Sequence, residues 1–146
     1  MSLKILLVAG QREFRDRLRL ALERLEVAGE TIRFLEAAEG DTAIALVEAE
    51  RPDLVVVEVG VTPYGGFGLT RDIRSFPELA CSVIVILERP QDDWLGRWSG
   101  ADALVRRPVD PFALAQAARQ LLRRRRDAET RPRAGEPRAR AAGGGR

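Results

Sequence analysis

The stretch Asp53-Leu-Val-Val-Val-Glu-Val-Gly60 decides how this chain folds. It opens on an acid, runs through four apolar residues and meets a single carboxylate, Glu58, near its far end. A continuous valine-rich run of this kind is the pattern of a strand buried on both faces, the centre of a parallel sheet. A charge inside such a strand is costly. At the carboxyl end of a parallel strand, however, an open α/β sheet places its binding crevice. Glu58 therefore stands where a ligand or a reacting group would stand.

Outward from this strand the hydrophobic period changes in a regular way. Lys4 to Ala9 is an apolar run that ends at Gly10 and reads as a first strand. From Gln11 to Val27, Phe14, Leu18, Ala21, Leu22 and Leu25 recur at three- and four-residue steps, which predicts an amphipathic helix. Thr31 to Leu35 reads as a second strand, and a second helix opens at Gly40-Asp41 and closes at Arg51-Pro52. After the strand Leu54–Val59, a turn over 62–66 leads into a helix marked by Phe67, Leu69, Ile73 and Phe76. Val83 to Leu87 is a fourth strand, Gln91 to Trp98 a short helix interrupted by Gly96, and Ala103 to Val105 a fifth strand. Asp110 and Pro111 then start a last helix by side-chain capping and by proline geometry. Five strands alternating with five helices predict a doubly wound parallel sheet, since right-handed crossovers allow little else.

Composition narrows the chemistry. The 146 residues are 45% apolar and 32% charged, enough for one domain with a proper core. There is no histidine, which removes the commonest general base and zinc ligand. Cys81 is alone, so no internal disulfide forms, and its place before an apolar run predicts a buried thiol. No nucleophile–base pair or metal set can be assembled, so the chain reads as a binding module and not as an enzyme. The apolar N-terminal run is too short for a signal peptide, and nothing approaches the roughly 20 residues needed to cross a bilayer. A cytoplasmic protein without a membrane partner is expected. Residues 1–122 carry a net charge of −4 and residues 123–146 a net of +6. The segment 126–146, rich in Arg, Pro, Gly and Ala, is expected to be a disordered basic tail.

Order and spacing together carry a resemblance. Leu6-Leu-Val-Ala-Gly-Gln-Arg-Glu-Phe-Arg15, Asp53 to Val59, the loop glycine Gly66, Arg71-Asp-Ile-Arg74, Gly100-Ala-Asp-Ala-Leu-Val-Arg-Arg-Pro108 and Asp110-Pro-Phe112 follow one another as in a known family. The chain resembles the receiver (CheY-like) domain of bacterial two-component response regulators over residues 1–125. The resemblance implies a flavodoxin-like (βα)5 fold with strand order 2-1-3-4-5. In that family two acids after the first strand hold magnesium, and an aspartate on the third strand accepts the phosphoryl group. Here Ala9 and Gly10 stand at the acidic pair, and neither supplies the hard oxygen that magnesium needs. Magnesium binding is therefore not expected, nor any other cofactor. Glu58 stands at the phosphoacceptor, and its extra methylene carries the carboxylate about 1.5 Å beyond the aspartate position. A displacement on that scale can cost a factor of order a hundred in rate. Leu87 replaces the hydroxyl residue that reads the phosphate, Leu104 the aromatic switch and Arg107 the lysine. Five altered parts predict a stand-alone pseudo-receiver that signals without phosphorylation.

Several residues admit two readings at this level. Glu58 is either a fixed mimic of the phosphorylated state or a tolerated polar remnant. Arg107 either pairs bidentately with Glu58 or points to solvent. Asp92 and Asp93 read as charges serving a helix dipole more readily than as metal ligands. Trp94 and Trp98 share a helix face, which either packs on the sheet or meets a partner protein. The chain between Leu87 and Gly100 is about two residues shorter than the family usually has, which should truncate this helix. A protein partner or a second copy is expected on the 91–122 face. Gly65-Gly66-Phe67-Gly68 lacks the lysine and hydroxyl of a phosphate-binding loop and reads as a turn. The tail admits nonspecific nucleic-acid binding through charge neutralisation.

Overall fold

Five parallel strands, β1 (Leu3–Val8), β2 (Ile32–Ala37), β3 (Leu54–Glu58), β4 (Ser82–Leu87) and β5 (Ala103–Arg106), form one sheet in the order β2-β1-β3-β4-β5. The computed structural model describes residues 2–129. Between the strands run α1 (Arg12–Leu22), α2 (Gly40–Glu50), α3 (Gly65–Arg74) and α4 (Asp93–Ser99), and α5 (Pro111–Glu129) follows the last strand. The doubly wound arrangement expected from the sequence is the arrangement found.

Strand β3 lies at the centre, with Leu54 to Val57 fully buried. Its side chains alternate between two cores, as the period of two requires. Leu54 and Val56 join Ile5, Leu7, Ile84 and Ile86 against α1 and α5. Val55 and Val57 join Leu6, Val8, Val85 and Leu87 against the helices of the opposite face. Each valine or leucine sunk in this way contributes about 1.5–3 kcal/mol. Cys81, just before β4, is buried as expected, and burial pushes its thiol pKa up.

Three boundaries depart from the sequence reading. The first helix stops at Leu22 and not at Val27. Ala28 and Gly29 both take positive φ, and Val27 and Glu30 exchange two backbone hydrogen bonds around them. That is a tight reversal of the kind that needs φ above zero at both central positions, and it buries Leu25 and Val27 without helix. Gly65 and Gly66 belong to the first turn of α3 and not to the preceding turn. Finally, α5 continues to Glu129, into the segment expected to be disordered. Its last turns are tied down by ion pairs: Arg125 to Asp53 at 2.9 Å and Arg126 to Glu30 at 2.6 Å. The rest of the expected tail lies outside the described residues.

Close approach explains two of the glycines. A Cβ on Gly66 would stand 2.7 Å from the carbonyl oxygen of Glu58, so α3 starts directly against the end of β3. A Cβ on Gly96 would stand 2.5 Å from a methyl of Leu104, which lies directly beneath α4. For Gly66→Ala, overpacking against fixed backbone of about 1–3 kcal/mol outweighs a helix-propensity gain of up to about 1 kcal/mol. The variant should therefore unfold at lower urea. Gly96→Ala meets only the end of a leucine side chain, so its loss should be smaller. Equal or reversed urea midpoints for the two variants would contradict this packing.

Candidate functional site

Glu58 is the last residue of β3, and alternation sends its side chain to the α1/α5 side of the sheet. Its side chain is 14% exposed, so its oxygens depend on protein donors. One donor comes from the end of β1. The Ala9 amide extends the ladder to Ala37, and the next amide, that of Gly10, donates to Glu58 Oε2 at 2.7 Å. The second donor comes from the end of β5. The Arg107 amide donates to the Leu87 carbonyl, which holds residue 107 beside the sheet. From there its Nη2 donates to Glu58 Oε1 at 2.9 Å. The guanidinium also stacks on Phe14 of α1, 3.8 Å from the ring centroid. Of the two readings of Arg107, the structure shows the pair, made through one nitrogen and not in the bidentate form.

The other residues singled out in the sequence fall as follows. Ala9 is buried, and Gly10 presents a donor where the resemblance places an acid. With both Glu58 oxygens already receiving donors, these residues do not fit a magnesium ion held by a pair of carboxylates. Among the described residues no three His, Cys, Asp or Glu side chains come together to hold an ion. Leu87 is fully buried in the core on the opposite face from Glu58. Leu104 is half-buried, roofed by Gly96. Asp93 pairs with Arg106, a hydrogen bond that holds its carboxyl below the usual range, and Asp92 pairs with Arg89 at 3.5 Å. Gly65 to Gly68 lie in helix α3.

Trp94 and Trp98 do not pack on the sheet: they are 66% and 67% exposed. The short helix that carries them has seven residues, in line with the short connection before it. Asp93 and Arg97 of α4 line a recess of about 660 Å³ together with β5 and α5. The tryptophans stand one residue further round, and Trp98 lies beneath Arg71 of α3, 4.2 Å from ring centroid to guanidinium carbon. The exposed aromatic face thus turns towards α3, away from β5 and α5. No helix among the described residues is long and apolar enough to cross a membrane.

Sequence reasoning missed the Gly10 amide, Phe14 and the Asp53–Arg125 pair. A backbone donor leaves no signature in residue type. The periodicity of Phe14 marks it as a core residue, and it is buried, but its ring also supports Arg107. Asp53 accepts the Lys4 amide as well as Arg125, at 2.8 Å and 2.9 Å, and that contact joins residues 72 apart in the chain.

This fold, with a carboxylate at the end of its central strand, defines a receiver-type signalling domain. No family model matches the chain. It is 32% identical over 123 residues to an uncharacterized response regulatory protein of Mycobacterium tuberculosis, covering 84% of this chain and 92% of the relative. It is 34% identical over 109 residues to the transcriptional regulatory protein AfsQ1 of Streptomyces coelicolor, covering 75% of this chain and 48% of the relative. Among solved structures, a two-component response regulator of the LuxR family from Aurantimonas is similar with a TM-score of 0.72 at 27% identity, covering 84% of this chain and 86% of that one. A CheY-like receiver domain protein from Methanospirillum hungatei is similar with a TM-score of 0.71 at 19% identity, covering 88% and 99%. The chain belongs to the response regulator receiver family.

The Glu58–Arg107 pair is partly shielded, so its contribution sits at the upper end of the range for surface ion pairs, about 1 kcal/mol. A double-mutant cycle with Glu58→Gln and Arg107→Gln, read by urea unfolding, should give a coupling of that size that falls as salt rises. A coupling indistinguishable from zero at low salt would show that the two side chains do not stabilise one another.

Proposed function

We propose that this receiver works as a phosphorylation-independent interaction module, in which Glu58 holds permanently the charge that phosphorylation would supply. The observation that carries the reading is the pair of donors on Glu58: the Gly10 amide on one oxygen and the Arg107 guanidinium on the other. A transferring phosphoryl group needs a free carboxylate oxygen and a divalent ion to neutralise it. Here both oxygens are engaged, the cation is a side chain of the same molecule, and the acidic-pair positions carry none. The module performs no reaction of its own and requires neither magnesium nor another cofactor. It acts by presenting a surface to a partner protein.

The exposed face of α4 supports that role. Two tryptophans at i and i+4 left to solvent are the residue type most enriched at binding hot spots. Arg71, stacked on Trp98, fixes one of the rings in place.

Incubation with acetyl phosphate and magnesium should leave the intact mass unchanged. A stoichiometric phosphoryl adduct, on Glu58 or elsewhere, would overturn the reading. The double variant Trp94→Ala/Trp98→Ala should lose the partner that the wild-type chain retains on an affinity column. Its unfolding free energy should stay within about 0.5 kcal/mol of wild type, as expected for exposed side chains. Retention of the same partner by the variant would remove the tryptophan face from the proposal.

A further inference from the structure

Beside the Glu58–Arg107 pair lies a second feature that phosphorylation-independent signalling does not use. A groove of about 700 Å³ runs between α1 and the segment that joins β5 to α5. Its walls are apolar, with Phe14, Leu18 and Leu20 on one side and Val109 and Pro111 on the other, and its only charged lining residues are Arg17 and Arg107. The volume is in the range of sites for small organic ligands, and so is the combination of apolar walls with a few polar groups. Leu20 is left 69% exposed at this groove. Arg17 makes no hydrogen bond or ion pair with any described residue. Arg107 gives Nη2 to Glu58, and its other guanidinium nitrogens have no acceptor among the described residues.

We propose that this groove is a binding site for an amphipathic monocarboxylate, a largely apolar acid whose carboxylate is received by Arg17 and Arg107. The walls call for an apolar body, and Arg17, with no acid partner among the described residues, together with the edge of Arg107 that Glu58 leaves open, calls for an anionic head. A single carboxylate suits the site better than a more highly charged anion, because the rest of the lining offers such an anion nothing. A second copy of this chain is a poor occupant. Across a two-fold axis the same patch meets itself, which would set the arginines of one copy against those of the other, and like charges so placed are costly. Occupancy also bears on Glu58, because the ligand carboxylate and Glu58 share one guanidinium. This coupling, unlike the site itself, rests on the reading of the Glu58–Arg107 pair as a fixed state.

The test is an NMR titration of the ¹⁵N-labelled chain of residues 1–146 with 2-naphthoate, repeated with the neutral analogue 2-naphthalenemethanol. Saturable shifts are expected at amides of residues 14–21, at Arg107 and at Val109, with a dissociation constant near ~1 mM for a probe of this size. The alcohol should bind about 25-fold more weakly, the weight of two partly exposed charged contacts at about fivefold each. Arg17→Ala and Leu20→Glu, both at exposed positions, should each weaken naphthoate by about fivefold. The Gly10 amide should shift with naphthoate and not with the alcohol. Absence of saturation by ~10 mM, equal affinity for the two probes, or shifts centred on another face would overturn the site. Groove amides that shift with protein concentration and no probe would assign the groove to a second copy. A silent Gly10 amide would overturn the coupling alone. Phosphoryl labelling at Glu58 would leave the groove shifts intact, so failure of the fixed-charge reading is distinguishable from failure of this one.

Discussion

The carboxylate of Glu58 sits at the end of the central strand of the sheet, and its environment depends on donors from two other strand ends. Gly10 follows β1, a direct neighbour of β3, whereas Arg107 follows β5 and reaches Glu58 across the end of β4. Three of the five strand ends are thereby tied to one charge. Breaking such a contact does more than remove an attraction, because it leaves a mostly shielded ion without a partner. Glu58 consequently has a structural role even apart from signalling: it sets where the chain leaves β1 and β5. The two donors constrain the carboxylate whether it mimics a phosphorylated state or is a polar remnant.

The fold was legible in the sequence for a physical reason. Both faces of β3 and β4 are buried, so their runs are uninterrupted, and the helices between them need one apolar stripe each. What could not be read was set by backbone geometry. The helix expected to reach Val27 keeps an apolar periodicity through Leu25, and only the positive φ of Ala28 and Gly29 reveals that the chain has already turned. The site was legible in its losses, since Ala9, Gly10, Leu87 and Leu104 each lack a specific chemical group. What replaced those groups was not legible, because a peptide N–H and a ring stacked under a guanidinium are relations between distant parts of the chain.

The opposite end of the sheet is organised by charge as well, and this changes the meaning of the arginine run. Arg123 to Arg126 reads in sequence as the end of the last helix, where cations suit the negative end of the dipole. In the structure Arg125 spans Asp53 and the Ala80 carbonyl, and Arg126 spans Glu30 and Glu129. Only Arg123 and Arg124 of the four are exposed. The four cations thus divide by helical phase into two that clamp α5 across the amino ends of the strands and two that face solvent. Of these four cations, a nucleic acid or acidic protein drawn to this end would meet two.

The two ends of the sheet also differ in how the state of Glu58 can be passed on. One path from the site would run through residue 104, where the family resemblance places a mobile aromatic. There Leu104 carries no polar group and lies directly beneath Gly96 of α4, so any movement would have to be towards the recess between α4, β5 and α5 that it lines. The other path runs through Arg107, whose guanidinium touches Glu58 on one edge, Phe14 on its face and the apolar groove beyond. It is the only one of the altered positions with room to move and a charge to carry. On the proposed reading of a receiver that works without phosphorylation, Arg107 is the route that joins Glu58 to the groove, and the direction of control would be from the groove towards Glu58 as readily as the reverse.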